Sequence, residues 1–206
     1  MDIDARRNRN GKSPITQEQK NKIKKASDKA YEIVRKGYND LNKIYKQSGR
    51  PSKRRRKRRE AWNKNGKVTK WFGKSHLTYT QIKRTRDRLD GLKSLLKGTV
   101  RFTIIQHQGG RRSWLCRDGS PPDIAYTGRI SPIKLCRRFF LEYDEVRTRT
   151  VVHELCHHLR MNDQRYGAGG DKVYYPGLAK KLAINYPRRA RRNPTNFAYF
   201  CFEYYY

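Results

Sequence analysis

The sequence predicts an α+β fold, mainly helical with one small sheet, and three observations carry that reading. Long segments before residue 98 place apolar residues at three- and four-residue steps. A stretch over 100–136 alternates apolar and polar residues between Gly and Pro. Helical spacing then resumes from residue 150 into the tail.

Taken in order, residues 1–16 are polar and charged, with Asn, Gly, Ser and Pro. They offer nothing to bury, so they are expected to be disordered. From Gln17 to Gln47 (17–47), Ile23, Ala26, Ala30, Ile33, Val34, Leu41 and Ile44 draw an apolar stripe along a helix, which Ser48-Gly49-Arg50-Pro51 stops. Seven consecutive cations, Lys53 to Arg59, repel one another, and 50–60 reads as a solvated basic linker. Residues 1–66 thus form a basic N-terminal extension before a main domain over 67–206. In that domain Leu77 to Leu96 reads as a helix ending at Gly98. Val100, Phe102 and Ile104 alternate as a strand, and Ile124–Thr127 and Ile133–Cys136 are further strand candidates. Thr150 is placed to cap a helix containing Val151, Val152, Leu155 and Leu159. Leu178, Leu182 and Ile184 mark a last helix that Pro187 ends.

A chain of 206 residues has room for one catalytic-sized core and an appendage. Fifty Lys and Arg face 18 Asp and Glu, a net charge of +32 with only 35% hydrophobic residues, which argues against a neutral housekeeping enzyme and for polyanionic partners. Residues 1–70 alone carry 24 of the cations and a net +17. No run approaches the roughly 20 apolar residues of a membrane span, and the start lacks the apolar stretch of a secretory signal, so a soluble chain is expected. A toxin delivered by a secretion machine would begin the same way. Four cysteines are too few for a disulfide scaffold and fit one bridge and two free thiols.

The chemistry lies in His153-Glu154-Leu155-Cys156-His157, an HExxH pattern inside a predicted helix. Helical spacing puts both imidazoles on one face within reach of one zinc ion, with Glu154 close to a metal-bound water. Zinc needs a third protein ligand, and the acids downstream are Asp163, Asp171 and Glu203. Gly167 can turn the chain and bring Tyr166 back over the metal. His158 points about 100° away around the helix and is assigned to packing or a hydrogen bond.

HExxH followed by Asp163-Gln164-Arg165-Tyr166-Gly167 resembles the aspzincins, the deuterolysin and peptidyl-Lys metalloendopeptidase group. Trp71-Phe72-Gly73, Ile124-Ala125-Tyr126, Ile133-Lys134-Leu135-Cys136 and the tail from Leu178 through Asn193 to Phe200 agree with it. The resemblance implies a zincin-like fold and one zinc per chain held by His153, His157 and Asp163. Glu154 would be the general base and Tyr166 the hydrogen-bond donor to the oxyanion. The gap from His157 to Asp163 is shorter than the family's, which implies a tighter loop, with Asp171 next in line as ligand. The resemblance also implies a Cys116–Cys136 disulfide and suggests a secreted or delivered effector. The two acids that recognise lysine in the lysine-specific members fall at Thr195 and Ala198, the expected substrate-binding positions. Apolar or polar residues after the scissile bond are therefore expected, not lysine.

The leading expectation is a zinc endopeptidase acting on protein or peptide substrates, with its arm, residues 1–66, binding nucleic acid or another polyanion. A nucleic-acid-binding protein with a structural or decayed metal site is the other reading, carried by charge alone.

Overall fold

The computed structural model describes residues 3–7, 15–74, 78–105, 116, 124–127, 132–167 and 169–206. It is an α+β fold, mainly helical around a four-stranded sheet.

Helix α1 (Gln17–Tyr45) opens on a capping box. Thr16 Oγ1 accepts from Gln19 N at 3.1 Å, and the Gln19 side chain accepts from Thr16 N at 3.1 Å. Its apolar stripe is buried against α4 (Tyr79–Lys97), α6 (Asp144–His158) and α9 (Pro194–Phe202). The hydrophobic core thus spans both sides of the expected boundary at residue 66, and α1 belongs to it.

Two expectations for the N-terminal region are corrected. Ile3–Arg7 is a strand, β1, paired in parallel with β2 (Val100–Ile104) from Ile3↔Val100 to Arg7↔Ile104. Strand pairing uses backbone N–H and C=O groups, so polar side chains do not forbid it. The rest of the segment expected to be disordered, residues 1–2 and 8–14, lies outside the described residues, as does Leu77. The basic linker over 50–60 is likewise a helix, α2 (Pro51–Lys64). One turn of helix separates Arg58 from Trp62, so both turn inward. Trp62 is fully buried and its Nε1 donates to Gly73 O at 2.9 Å. The Arg58 guanidinium lies 4.5 Å and 4.8 Å from the rings of Tyr45 and Tyr79 and donates to Tyr45 O. Lys53, Arg55, Arg56 and Arg59 stay exposed.

Helix α3 (Gly66–Phe72) follows directly, with Asn65 capping Val68 N at 3.0 Å. The sheet order is β1-β2-β4-β3. β4 (Ile133–Leu135) is parallel to β2, and the short β3 (Ala125–Tyr126) is antiparallel to β4. Cys116 and Cys136 form a disulfide with Cα atoms 5.3 Å apart, while Cys156 and Cys201 are free and buried.

After α5 (Arg137–Leu141), α6 begins at Asp144, so Thr150 is an interior residue and not the cap. Asp144 and Glu145 in the first turn complement the helix dipole. Helix α7 (Pro176–Asn185) is not the last: α8 (Pro187–Ala190) and α9 come after it, each opening on a proline at its first turn. Helix α9 is apolar nearly all round, with Phe197, Ala198, Phe200 and Cys201 buried, and so shows no amphipathic period in the sequence.

Candidate metal centre

Val151, Val152, Leu155 and Cys156 anchor α6 in the core, which leaves His153, Glu154 and His157 along the side facing a cavity of about 640 Å³. The two imidazoles stand edge to face, 5.2 Å between centroids. Immediately after them the chain reverses. Leu159 caps the helix, Arg160 adopts φ 58°, the left-handed position where glycine is usual, and Met161 N reaches back to Cys156 O at 3.2 Å. This turn points Met161 O at His157, whose Nδ1 donates to it at 2.9 Å and so leaves Nε2 as the free lone pair. Thr195 Oγ1 lies 3.4 Å from His153 Nδ1, turning that ring the same way.

Asp163 is delivered by the loop that follows. Gln164 N donates to Asn193 Oδ1 at 3.1 Å, and the buried Asn193 in turn donates to Asn196 Oδ1 at 2.7 Å. Asp163 Oδ1 then sits 3.4 Å from His153 Nε2 and 3.8 Å from His157 Nε2. Ligand atoms about 2 Å from a tetrahedral zinc are roughly 3.3 Å apart, so this triangle is close to the size such an ion requires. Oδ1 is buried and has no hydrogen-bond partner, whereas Oδ2 accepts from the Tyr174 hydroxyl at 3.2 Å. A buried carboxylate oxygen without a donor, facing two imidazole nitrogens, fits a cation. Among the described residues these three form the group of His, Cys, Asp or Glu close enough to share an ion.

Burial raises the Asp163 carboxyl, but His153, His157 and Lys172 outweigh it and hold it below its usual range. Burial lowers His153, yet the nearby Asp163 carboxylate and the charge of Glu154 leave it raised; His157 is lowered by burial and by His153. Burial pushes the Cys156 and Cys201 thiols up, which leaves them inert as ligands.

The family model of aspzincin M35, described as lysine-specific metallo-endopeptidase, matches residues 57–202. The chain belongs to the aspzincin family. It is a zinc metalloendopeptidase. Its fold is similar to that of a zinc peptidase from Grifola frondosa, with a TM-score of 0.62 at 18% identity over 91% of this chain and 96% of that one. A comparison with curated proteins finds no match.

The structure places the aspzincin residues unevenly. His153, Glu154, His157, Asp163, Thr195 and Ala198 all line the cavity, and Glu154, Thr195 and Ala198 are nearly inaccessible. Asp171 is exposed, and its carbonyl accepts from Tyr166 N at 3.1 Å. Glu203 is held elsewhere by Lys70 and Trp71. Tyr166, expected over the metal, is not among the lining residues. Its hydroxyl accepts from Asn185 Nδ2 at 2.6 Å and its ring packs edge-on to Tyr186. The reason is the hairpin that follows Asp163: Arg165 pairs with Lys172 and Val173 N donates to Gln164 O, which turns residue 166 towards α7 and returns Tyr174 to the Asp163 carboxylate. Tyr174 and Tyr175 were missed in the sequence, although an aromatic pair just before Pro176 is a visible signal. The end of α6 also sends His158 Nε2 to Thr127 Oγ1 at 3.0 Å, away from the centre.

Proposed function

We propose that this aspzincin hydrolyses internal peptide bonds of protein substrates laid across the cavity, with zinc held by His153, His157 and Asp163 and with Glu154 as general base. The observation that carries the reading is the buried, undonated Asp163 Oδ1 facing two Nε2 atoms at the cavity wall. Zinc in this site would supply a Lewis acid and an acidified water. Glu154 takes the proton and passes it to the leaving nitrogen, from a position next to His153 on the same helix. Thr195 and Ala198 offer no carboxylate to a substrate ammonium, and an unpaired ammonium at so buried a wall is costly, so selection for lysine is not part of this proposal.

The test is a pair of variants. Glu154→Gln is expected to keep one zinc per chain and lose peptide hydrolysis by about a hundredfold or more. Asp163→Ala is expected to lose tight zinc binding by elemental analysis; full retention would transfer the third ligand elsewhere.

We propose further that the exposed cations of α2 hold the enzyme on polyanions, on the support of four solvated side chains, Lys53, Arg55, Arg56 and Arg59, carried on one helix.

A further inference from the structure

Arg149 lies one helical turn before His153 on α6 and lines the same cavity. Its guanidinium rests 4.7 Å from the Tyr199 ring and 5.7 Å from the Phe202 ring, and no carboxylate among the described residues pairs with it. The acid one turn earlier, Glu145, instead accepts from the Tyr206 hydroxyl at 3.3 Å. The cavity's other arginine, Arg138, is closed by Glu142 at 2.6 Å. With Asp163 assigned to the metal and Glu154 to proton transfer, the cations left over in the wall are Arg149 and Lys172.

We propose that Arg149 receives a substrate carboxylate on the α9 side of the cavity, so that the enzyme prefers peptides with an acidic group beside the cleaved bond. This rests on the reading of the cavity as the substrate site. Tyr199, on which Arg149 stacks, follows Thr195 and Ala198 on α9, so the cation stands beside the two uncharged positions that leave a lysine unmatched. A guanidinium stacked on aromatic rings is held in a fixed plane, and its fork matches a carboxylate with two parallel hydrogen bonds. Lys172, at 5.7 Å over the Tyr174 ring, adds positive potential to the same wall.

Two sources supply such a carboxylate, an Asp or Glu side chain and the free C-terminus of a peptide. The zinc-loaded full chain is given matched peptides with Glu or Gln on either side of the susceptible bond, internal or terminal, with free or amidated ends. Glu over Gln is expected to raise kcat/KM by about tenfold or more, chiefly through KM, and the ratio is expected to shrink as salt is added. Arg149→Gln is expected to collapse the ratio, and Arg149→Lys to retain part of it. A gain confined to free C-terminal ends would assign the carboxylate to the chain terminus and still support Arg149. Equal rates for Glu and Gln peptides, or a ratio untouched by Arg149→Gln, would overturn the proposal. Should no peptide be cut, the endopeptidase reading of the cavity fails. The affinities of the same peptides for the zinc-loaded Glu154→Gln protein, read by fluorescence anisotropy, then decide the role of Arg149: equal binding of Glu and Gln forms overturns it.

Discussion

Asn193 is fully buried, and its side chain is divided between the loop that carries Asp163 and the helix that closes the core. Its Oδ1 holds Gln164 N, and its Nδ2 donates to Asn196, which donates onward to Trp71 O and Ala179 O. Asn193→Ala would leave the half-buried Gln164 N–H and the buried Asn196 Oδ1 without these partners. The expected cost is about 1–3 kcal/mol, together with weaker zinc binding, because Asp163 loses the support that aims it. Differential scanning calorimetry with and without zinc separates the two effects. Tyr174→Phe acts on the other oxygen of the same carboxylate. It is expected to weaken zinc binding by about tenfold in a chelator competition while hardly changing the melting of the zinc-free protein, since Tyr174 is 43% exposed. An unchanged zinc affinity would remove Tyr174 from the metal site.

At the scale of elements, the short helix α3 does more positioning than its length suggests. Phe72 packs at 4.8 Å and 5.0 Å against Phe197 and Phe200 of α9, and Trp71 stacks at 5.1 Å on Tyr199. Gly73 then turns at φ 78°, where a Cβ would collide with the Ala183 carbonyl and the Pro187 ring. This accounts physically for Trp71-Phe72-Gly73: one ring for α9, one for the core, and a residue without a side chain where α7 and α8 meet. Gly73→Ala is therefore expected to destabilise the fold more strongly than Gly66→Ala, at a position with open space around it; equal melting temperatures would refute the steric argument. Glu203, at the end of α9, ties that helix to α3, accepting from Lys70 Nζ at 2.5 Å and Trp71 Nε1 at 2.9 Å. Burial raises its carboxyl, but these donors and the nearby Lys67 leave it below the usual glutamate range. A carboxyl depressed in the folded state adds stability above its unfolded pKa and loses it as pH falls through the folded value. Glu203→Gln is thus expected to lower the melting temperature at neutral pH, with the difference from the parent closing on acidification. A gap that persists at low pH would assign the effect to packing.

At the scale of the whole molecule, the cations of α1 and α2 are carried on packed helices and not on a loose arm, because α1 is core and α2 docks through Arg58 and Trp62. Affinity for double-stranded DNA is expected to fall steeply between low and physiological salt. Replacing Lys53, Arg55, Arg56 and Arg59 with Gln should flatten the slope of log affinity against log salt by about 0.9 for each phosphate that is no longer neutralised, without altering peptide hydrolysis. An unchanged slope would move the polyanion surface off α2. Among the described residues no helix is long and apolar enough to cross a membrane.

The sequence by itself determined the enzyme class and most of the helices. Two histidines one turn apart put both rings on one face whatever surrounds them, and the stripe from Ile23 to Ile44 has one stable use, burial. Local spacing carries no information about pairing partners, and there the tertiary structure decided. It turned seven cations into a helix by docking two of its residues, paired Ile3–Arg7 with a strand almost a hundred residues away, and buried an α9 too uniformly apolar to show a period. It also placed the tyrosines. Asp163-Gln164-Arg165-Tyr166-Gly167 is a local motif, but which phenol meets the Asp163 carboxylate depends on the Arg165–Lys172 pairing and on the hold of Asn193 across the fold, and these bring back Tyr174. Contacts between residues far apart in the chain are set by the shape of the whole core, which no window of sequence contains.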